Sequence, residues 1–180
     1  IKLTGGEPLV RQNLPELVGR LKNLSGIEEV TLTTNGILLK EQVKDFVSKG
    51  LDSVNISIDT LDEQRYFQLT RGGDVKKALE GMEAALKYPG LKVKVNCVPL
   101  YEEDCVPLAL LAKERDIDVR FIEMMPIGMG KNFNGKTSEE IYKLLCDEFG
   151  ECEIYKKRLG NGPAEYICFQ KFEGRIGFIS

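Results

Sequence analysis

Histidine and tryptophan are missing from all 180 residues, and the five cysteines, Cys97, Cys105, Cys146, Cys152 and Cys168, show no CxxC or CxxxCxxC spacing. Without imidazole, and with thiols scattered singly, the chain has no metal-ligand pattern of its own. An odd cysteine count without an export signal favours reduced thiols. No apolar run is long enough to span a bilayer, and the opening Ile1-Lys2-Leu3-Thr4 reads as a strand rather than a charged-then-apolar leader. The expectation is a cytoplasmic protein with no membrane contact. A net charge of −3, with 29% charged residues, supplies no basic field for nucleic acid, so any anion site must be local. What is present is 42% hydrophobic content, enough for the core of one domain, or of one domain and a small second one.

The first two-thirds alternate short strands with helices, which predicts βα units and a parallel sheet or barrel. Strands are expected near residues 1–4, 29–34, 53–59, 92–98 and 118–123. Leu and Val at helical spacing predict helices over 15–24 and 41–49, the second closing at Gly50. Thr60-Leu61-Asp62-Glu63 is a capping-box pattern, Asp74 can cap a helix to about residue 87, and 104–115 supplies the last helix of the series. Residues 124–135, rich in glycine and without periodicity, read as a linker. Thr137-Ser138-Glu139-Glu140 then opens a helix, and 153–158, 164–172 and 175–179 read as antiparallel strands. The predicted organisation is a partial barrel over 1–125 and an α+β extension over 126–180.

Two features carry chemistry. Thr4-Gly5-Gly6-Glu7-Pro8 turns the chain at the end of the first strand, where two residues without Cβ let a ligand approach the peptide groups and Glu7 offers a carboxylate to a cationic group. Strand alternation then separates an apolar set (Val30, Leu32, Val54, Ile56, Ile58, Val93, Val95) from a polar one. The polar set comprises Lys2, Thr4, Thr31, Thr33, Asn35, Asn55, Ser57, Asp59, Lys92, Lys94 and Asn96, with Arg120 on the last strand. In a barrel the polar set lines a lumen holding water and ligand, and Lys2, Lys94 and Arg120 suit a polyphosphate. A half-exposed sheet, with that set facing solvent, is the competing reading.

Five motifs occur in order: Thr4-Gly5-Gly6-Glu7-Pro8-Leu9-Val10-Arg11, Leu32-Thr33-Thr34-Asn35-Gly36, Asn55-Ile56-Ser57-Ile58-Asp59-Thr60-Leu61, Val93-Lys94-Val95-Asn96, and Val119-Arg120-Phe121-Ile122-Glu123-Met124-Met125-Pro126. Together they resemble the GTP 3′,8-cyclase family of radical S-adenosylmethionine (SAM) enzymes, which opens molybdenum-cofactor biosynthesis. The resemblance runs through Gly177-Phe178-Ile179-Ser180. It implies an α/β fold, a partial radical SAM (β/α)6-type barrel with parallel strands followed by a small α+β extension. It implies SAM contacts at Gly6, Glu7, Ser57 and Met125, the last through its backbone, and GTP contacts at Lys2, Thr33, Lys94 and Arg120. It also implies 4Fe–4S clusters in the intact enzyme, a lyase, and a cyclic pyranopterin synthase consuming the product.

Two departures accompany the resemblance. Lys2 stands where the family usually has arginine, keeping the charge but losing the planar fork. The cluster-binding CxxxCxxC motif and the second set of cluster cysteines are absent, so the chain reads as an internal fragment, inactive alone and binding no metal. An open edge at the first strand predicts self-association. Other readings stay open: a radical SAM enzyme of another kind, such as a peptide-modifying maturase, or a non-catalytic nucleotide-binding module.

Overall fold

The computed structural model describes residues 1–125, 134–156 and 163–180. Two compact units emerge, one formed by Ile1–Ile58 with Asp62–Lys94, the other by Asp59–Leu61 with Val95–Ser180. The chain passes from one to the other within a strand, and the boundary expected at 125/126 borders residues outside the description.

The first unit is built from βα repeats. β1 (Lys2–Leu3) pairs parallel with β2 (Thr31–Thr34), and β2 pairs parallel with β3 (Ser53–Ser57). α1 (Leu14–Lys22) follows β1, α2 (Leu39–Ser48) follows β2, and α3 (Glu63–Thr70) and α4 (Val75–Leu86) follow β3. Parallel neighbours need such crossovers, and the crossovers must bury an apolar face. Leu39, Val43 and Phe46 of α2 and Val75, Ala78, Met82 and Ala85 of α4 recur at three- and four-residue spacing and are buried. Burying each of the larger side chains stabilises the unit by about 1.5–3 kcal/mol. The helices approach closely because Gly81 packs on the Gly36 carbonyl, where a Cβ would collide. Gly36 itself has φ +80°, and a Cβ there would lie 2.8 Å from Ile56 Cγ2.

Capping follows the sequence in one place and departs from it in another. Asp74 accepts from Lys76 N at 2.9 Å and Lys77 N at 3.4 Å, starting α4 as expected. The cap of α3 is Asp62, not Thr60: the Asp62 carboxylate accepts from Arg65 N at 2.7 Å with extended backbone angles (φ −69°, ψ 123°). The aspartate sits one residue before the helix, where its short side chain reaches the orphan amides.

β4 (Lys92–Cys97) begins in the first unit and ends in the second. In the second unit β5 (Asp118–Ile122) pairs parallel with β8 (Arg175–Ile179), while β7 (Glu165–Phe169) runs antiparallel to β8, and β6 (Cys152–Tyr155) antiparallel to β7. The antiparallel strands were expected; the parallel β5–β8 pairing was not. It is fastened at its first position, where Arg175 Nε donates to Asp118 Oδ1 at 2.6 Å and Asp118 is only 5% exposed along its side chain. α6 (Ser138–Phe149) opens on the expected capping box: Glu140 N donates to Thr137 Oγ1 at 3.2 Å, and Thr137 N to Glu140 Oε2 at 2.8 Å.

The helix predicted over 104–115 is reduced to α5 (Val106–Leu110), followed by tighter three-residue turns closed by Leu111 N, Ala112 N and Lys113 N. The Ala112 and Lys113 carbonyls accept instead from Gly174 N at 2.8 Å and Glu173 N at 3.2 Å, in the turn before β8. Those bonds fasten the end of the tight turns to the turn before β8. Among the described residues no helix is long and apolar enough to cross a membrane.

Candidate functional site

The first unit brings the Gly-Gly turn and the end of β2 together through Glu7. Glu7 Oε1 accepts from Leu9 N at 3.0 Å and from Thr34 Oγ1 at 2.6 Å, and Oε2 accepts from Asn35 N at 2.8 Å. Thr34, 3% exposed, relays the contact by accepting from Gly36 N at 3.1 Å, and Asn35 Oδ1 closes a local turn with Ile37 N at 3.0 Å. A carboxylate bonded to three donors across 28 residues of sequence is a fastener between two strand ends. The ends in question are carboxyl ends of parallel strands, where α/β sheets bind ligands.

Gly5 and Gly6 stand exposed beside this fastener, and a Cβ on either would meet no atom within 4 Å. Their peptide groups are open to a ligand. Exposed peptide N–H and C=O groups can bond the carboxylate and amine of an amino-acid ligand. For a metal cluster, among the described residues no three His, Cys, Asp or Glu side chains gather as a metal site.

The polar row expected along the strands is present in the first unit. Register places Lys2 beside Thr31, Thr31 beside Ser53, and Thr33 beside Asn55. Ser53 Oγ donates to Thr31 Oγ1 and Asn55 Nδ2 to Thr33 Oγ1, both at 3.4 Å. Ser53 and Asn55 are 3% and 4% exposed, burial that a solvent-facing sheet would not give them. Ser57 closes β3 two residues further along and is half-buried, as is Lys94 on β4; Lys2 is exposed. Thr33 is therefore already paired with Asn55 and turns a hydroxyl toward the same face.

In the second unit Arg120, half-buried on β5, donates from Nε to Asn96 Oδ1 at 2.8 Å. That bond orients the guanidinium and makes Asn96 a residue of interest; strand alternation placed it in the polar set, but its pairing depends on register that the sequence does not display. Asp59 Oδ1 accepts from Val98 N at 2.9 Å, and burial, reinforced by the Glu103 carboxylate and opposed by that amide, pushes the Asp59 carboxyl up. Glu123, just past β5, accepts from Ser138 N at 2.6 Å, which holds its carboxyl below the usual range. Met125 is exposed at the end of the described stretch; Pro126, which ends the last motif, lies outside it.

These features meet a known pattern. The radical SAM superfamily model matches residues 1–126, and the chain belongs to that superfamily. Over its whole length it is 45% identical to the GTP 3′,8-cyclase of Clostridium perfringens (strain 13 / Type A), covering 56% of that relative. The GTP 3′,8-cyclases of Pelotomaculum thermopropionicum and of Pseudomonas putida (strain W619) are 39% and 37% identical, again over all of this chain, with 57% and 56% of their lengths covered. The chain thus spans a little over half the length of these curated relatives.

Proposed function

We propose that this chain is the substrate- and SAM-binding part of a radical SAM GTP 3′,8-cyclase, which converts GTP to (8S)-3′,8-cyclo-7,8-dihydroguanosine 5′-triphosphate in molybdenum-cofactor biosynthesis. The observation that carries the reading is whole-chain similarity to several relatives bearing that name, at up to 45% identity. The half-buried polar row of the first unit and the oriented Arg120 of the second support it as groups able to recognise a nucleoside triphosphate.

SAM, when reductively cleaved at a 4Fe–4S cluster, supplies a carbon radical able to take a hydrogen atom from the GTP ribose. The residues of this chain bind, orient and exclude water. The open Gly5-Gly6 peptides receive the amino-acid end of SAM, with Ser57 and the Met125 backbone along its nucleoside. Glu7 serves by holding the turn in place, since its oxygens already accept from three protein donors. Lys94 and Arg120, with Lys2 at the exposed end of the row, answer the triphosphate, and Thr33 positions the nucleoside. The cluster ligands lie outside the described residues, and the isolated chain is inactive.

The test is 5′-deoxyadenosine release by the full-length protein, reconstituted anaerobically with SAM and reductant, with and without GTP. GTP-dependent release, lost in Lys94→Ala and Arg120→Ala, supports the reading. Release stimulated by a different substrate, or none despite an intact cluster, overturns it.

A further inference from the structure

Among the five thiols two lie in contact: Cys146 Sγ and Cys152 Sγ are 3.8 Å apart, and both residues are half-buried. Cys97 and Cys105, by contrast, are fully buried, and burial pushes the Cys105 thiol up to about 11. We infer that Cys146 and Cys152 are a reversible redox modification site, forming an intramolecular disulfide on exposure to hydroperoxides.

Three features of the second unit select this pair. Cys146 lies in the last turn of α6 and Cys152 opens β6, and the connecting segment is already folded back: Gly150, at φ +87°, donates its N–H to the Cys146 carbonyl at 2.9 Å. Closing the sulfurs from 3.8 Å to about 2.05 Å therefore asks for a movement of less than about 2 Å, a distance that side-chain rotation can supply. The β6–β7 register excludes the nearest competitor. Cys152 faces Phe169, whereas Cys168 faces Glu153, so Cys168 projects to the opposite side of the sheet. Phe169 stacks edge-on against Phe149 of α6 at 5.5 Å, which fixes the helix end on the Cys152 side. Cys152 also donates to the Tyr142 hydroxyl at 3.6 Å, one helical turn before Cys146, so the thiol proton has a polar partner.

The chemistry balances with a hydroperoxide as oxidant. One sulfur attacks the terminal peroxide oxygen, giving a sulfenic acid and an alcohol, or water when the oxidant is hydrogen peroxide. The second sulfur then attacks the first, expelling the oxygen as water and losing its own proton. Two thiols and one hydroperoxide become one disulfide, one alcohol and one water. A dithiol reductant reverses the change. The bond would tie the end of α6 to the start of β6, on a helix whose other end is fastened to Glu123 and Ser180 through Ser138. The inference is independent of the proposed catalytic reading.

Trypsin makes the test direct, because Lys143 and Lys156 bracket both cysteines with no basic residue between. Full-length protein is treated with hydrogen peroxide under native conditions, alkylated, digested and weighed. The expected peptide 144–156 has lost two hydrogens and takes up no alkyl group, and it takes up two after dithiothreitol. Second cleavage after Glu148 and Glu151 leaves pieces joined only through sulfur, and a Cys168→Ser variant behaves alike. Two alkyl groups on the oxidised peptide, a link to Cys168 or to another chain, or sulfinic acid without a disulfide would each overturn the inference.

Discussion

Replacing Glu7 by glutamine separates a fastening role from a ligand-binding one. The carboxylate supplies two oxygens to three donors, Leu9 N and Thr34 Oγ1 on one side and Asn35 N on the other. Glutamine keeps a single carbonyl oxygen, so it can serve one side, and its amide group then faces a donor on the other. The loss is one hydrogen bond to a charged acceptor, about 1.5–3 kcal/mol, with the lower end favoured because Glu7 is only half-buried. Applied to local opening at the end of β2, that is about a 10- to 150-fold faster amide exchange at Asn35. Leu32, in the middle of the same strand, provides the internal reference. Hydrogen exchange followed residue by residue reads both amides in one experiment. An Asn35 amide that changes by less than about threefold, alongside a large loss of SAM affinity, would refute the fastening argument and make Glu7 a direct ligand contact.

Two further predictions rest on other clamps. Burial works against the Asp52 carboxylate, but Val30 N at 2.7 Å and Lys22 Nζ at 2.9 Å overcome it and hold its pKa below the ordinary 3.8. A lowered folded-state value gives stability that is complete above the unfolded pKa and fades as pH falls through the folded one; Asp52→Asn should cost about 1 kcal/mol at neutral pH and flatten the loss between about pH 4 and 2. Denaturant midpoints across that range check it, and an unchanged acid slope would count against the clamp. On the proposed reading, Asn96→Ala in the full-length protein should raise the KM for GTP about tenfold with a smaller change in kcat, since it removes the bond that orients the Arg120 guanidinium without removing its charge. Identical steady-state constants for the variant and the parent protein would show that the Asn96 bond does not orient Arg120 for substrate.

Much of the first unit was legible because its two periodicities do not interfere. Val54, Ile56 and Ile58 are fully buried, and Ser53 and Asn55 on the other face bond to Thr31 and Thr33, as alternation along parallel strands requires. The Asp74 cap and the Thr137 capping box are local signals, decided within a few residues, and both hold. One local signal failed, the cap of α3 moving from Thr60 to Asp62; the other failures involve distant partners. α5 stops at Leu110 and gives way to tighter turns, whose Ala112 and Lys113 carbonyls are bonded by residues some 60 positions later. β8 joins β5 in parallel although its sequence reads as one more antiparallel strand, and the decisive contact, Arg175 with Asp118, spans 57 residues.

Glu7 shows what strand register adds at the site itself. A carboxylate after two glycines reads naturally as a partner for a cationic ligand group, because the sequence displays the acid and the open turn but not the donors that reach it. Those donors, Thr34 and Asn35, come from the end of a strand whose polar residues were read only for the face they present. Once β1 and β2 are aligned in register, the carboxylate meets a hydroxyl and an amide at 2.6 and 2.8 Å. Beside it, the Gly5 and Gly6 peptides are exposed, with no atom within 4 Å of where a Cβ would stand. On the proposed reading the acid contributes rigidity, and rigidity at a strand end is what a radical reaction asks of its binding site: reacting atoms held close, with few alternative geometries for the radical to explore.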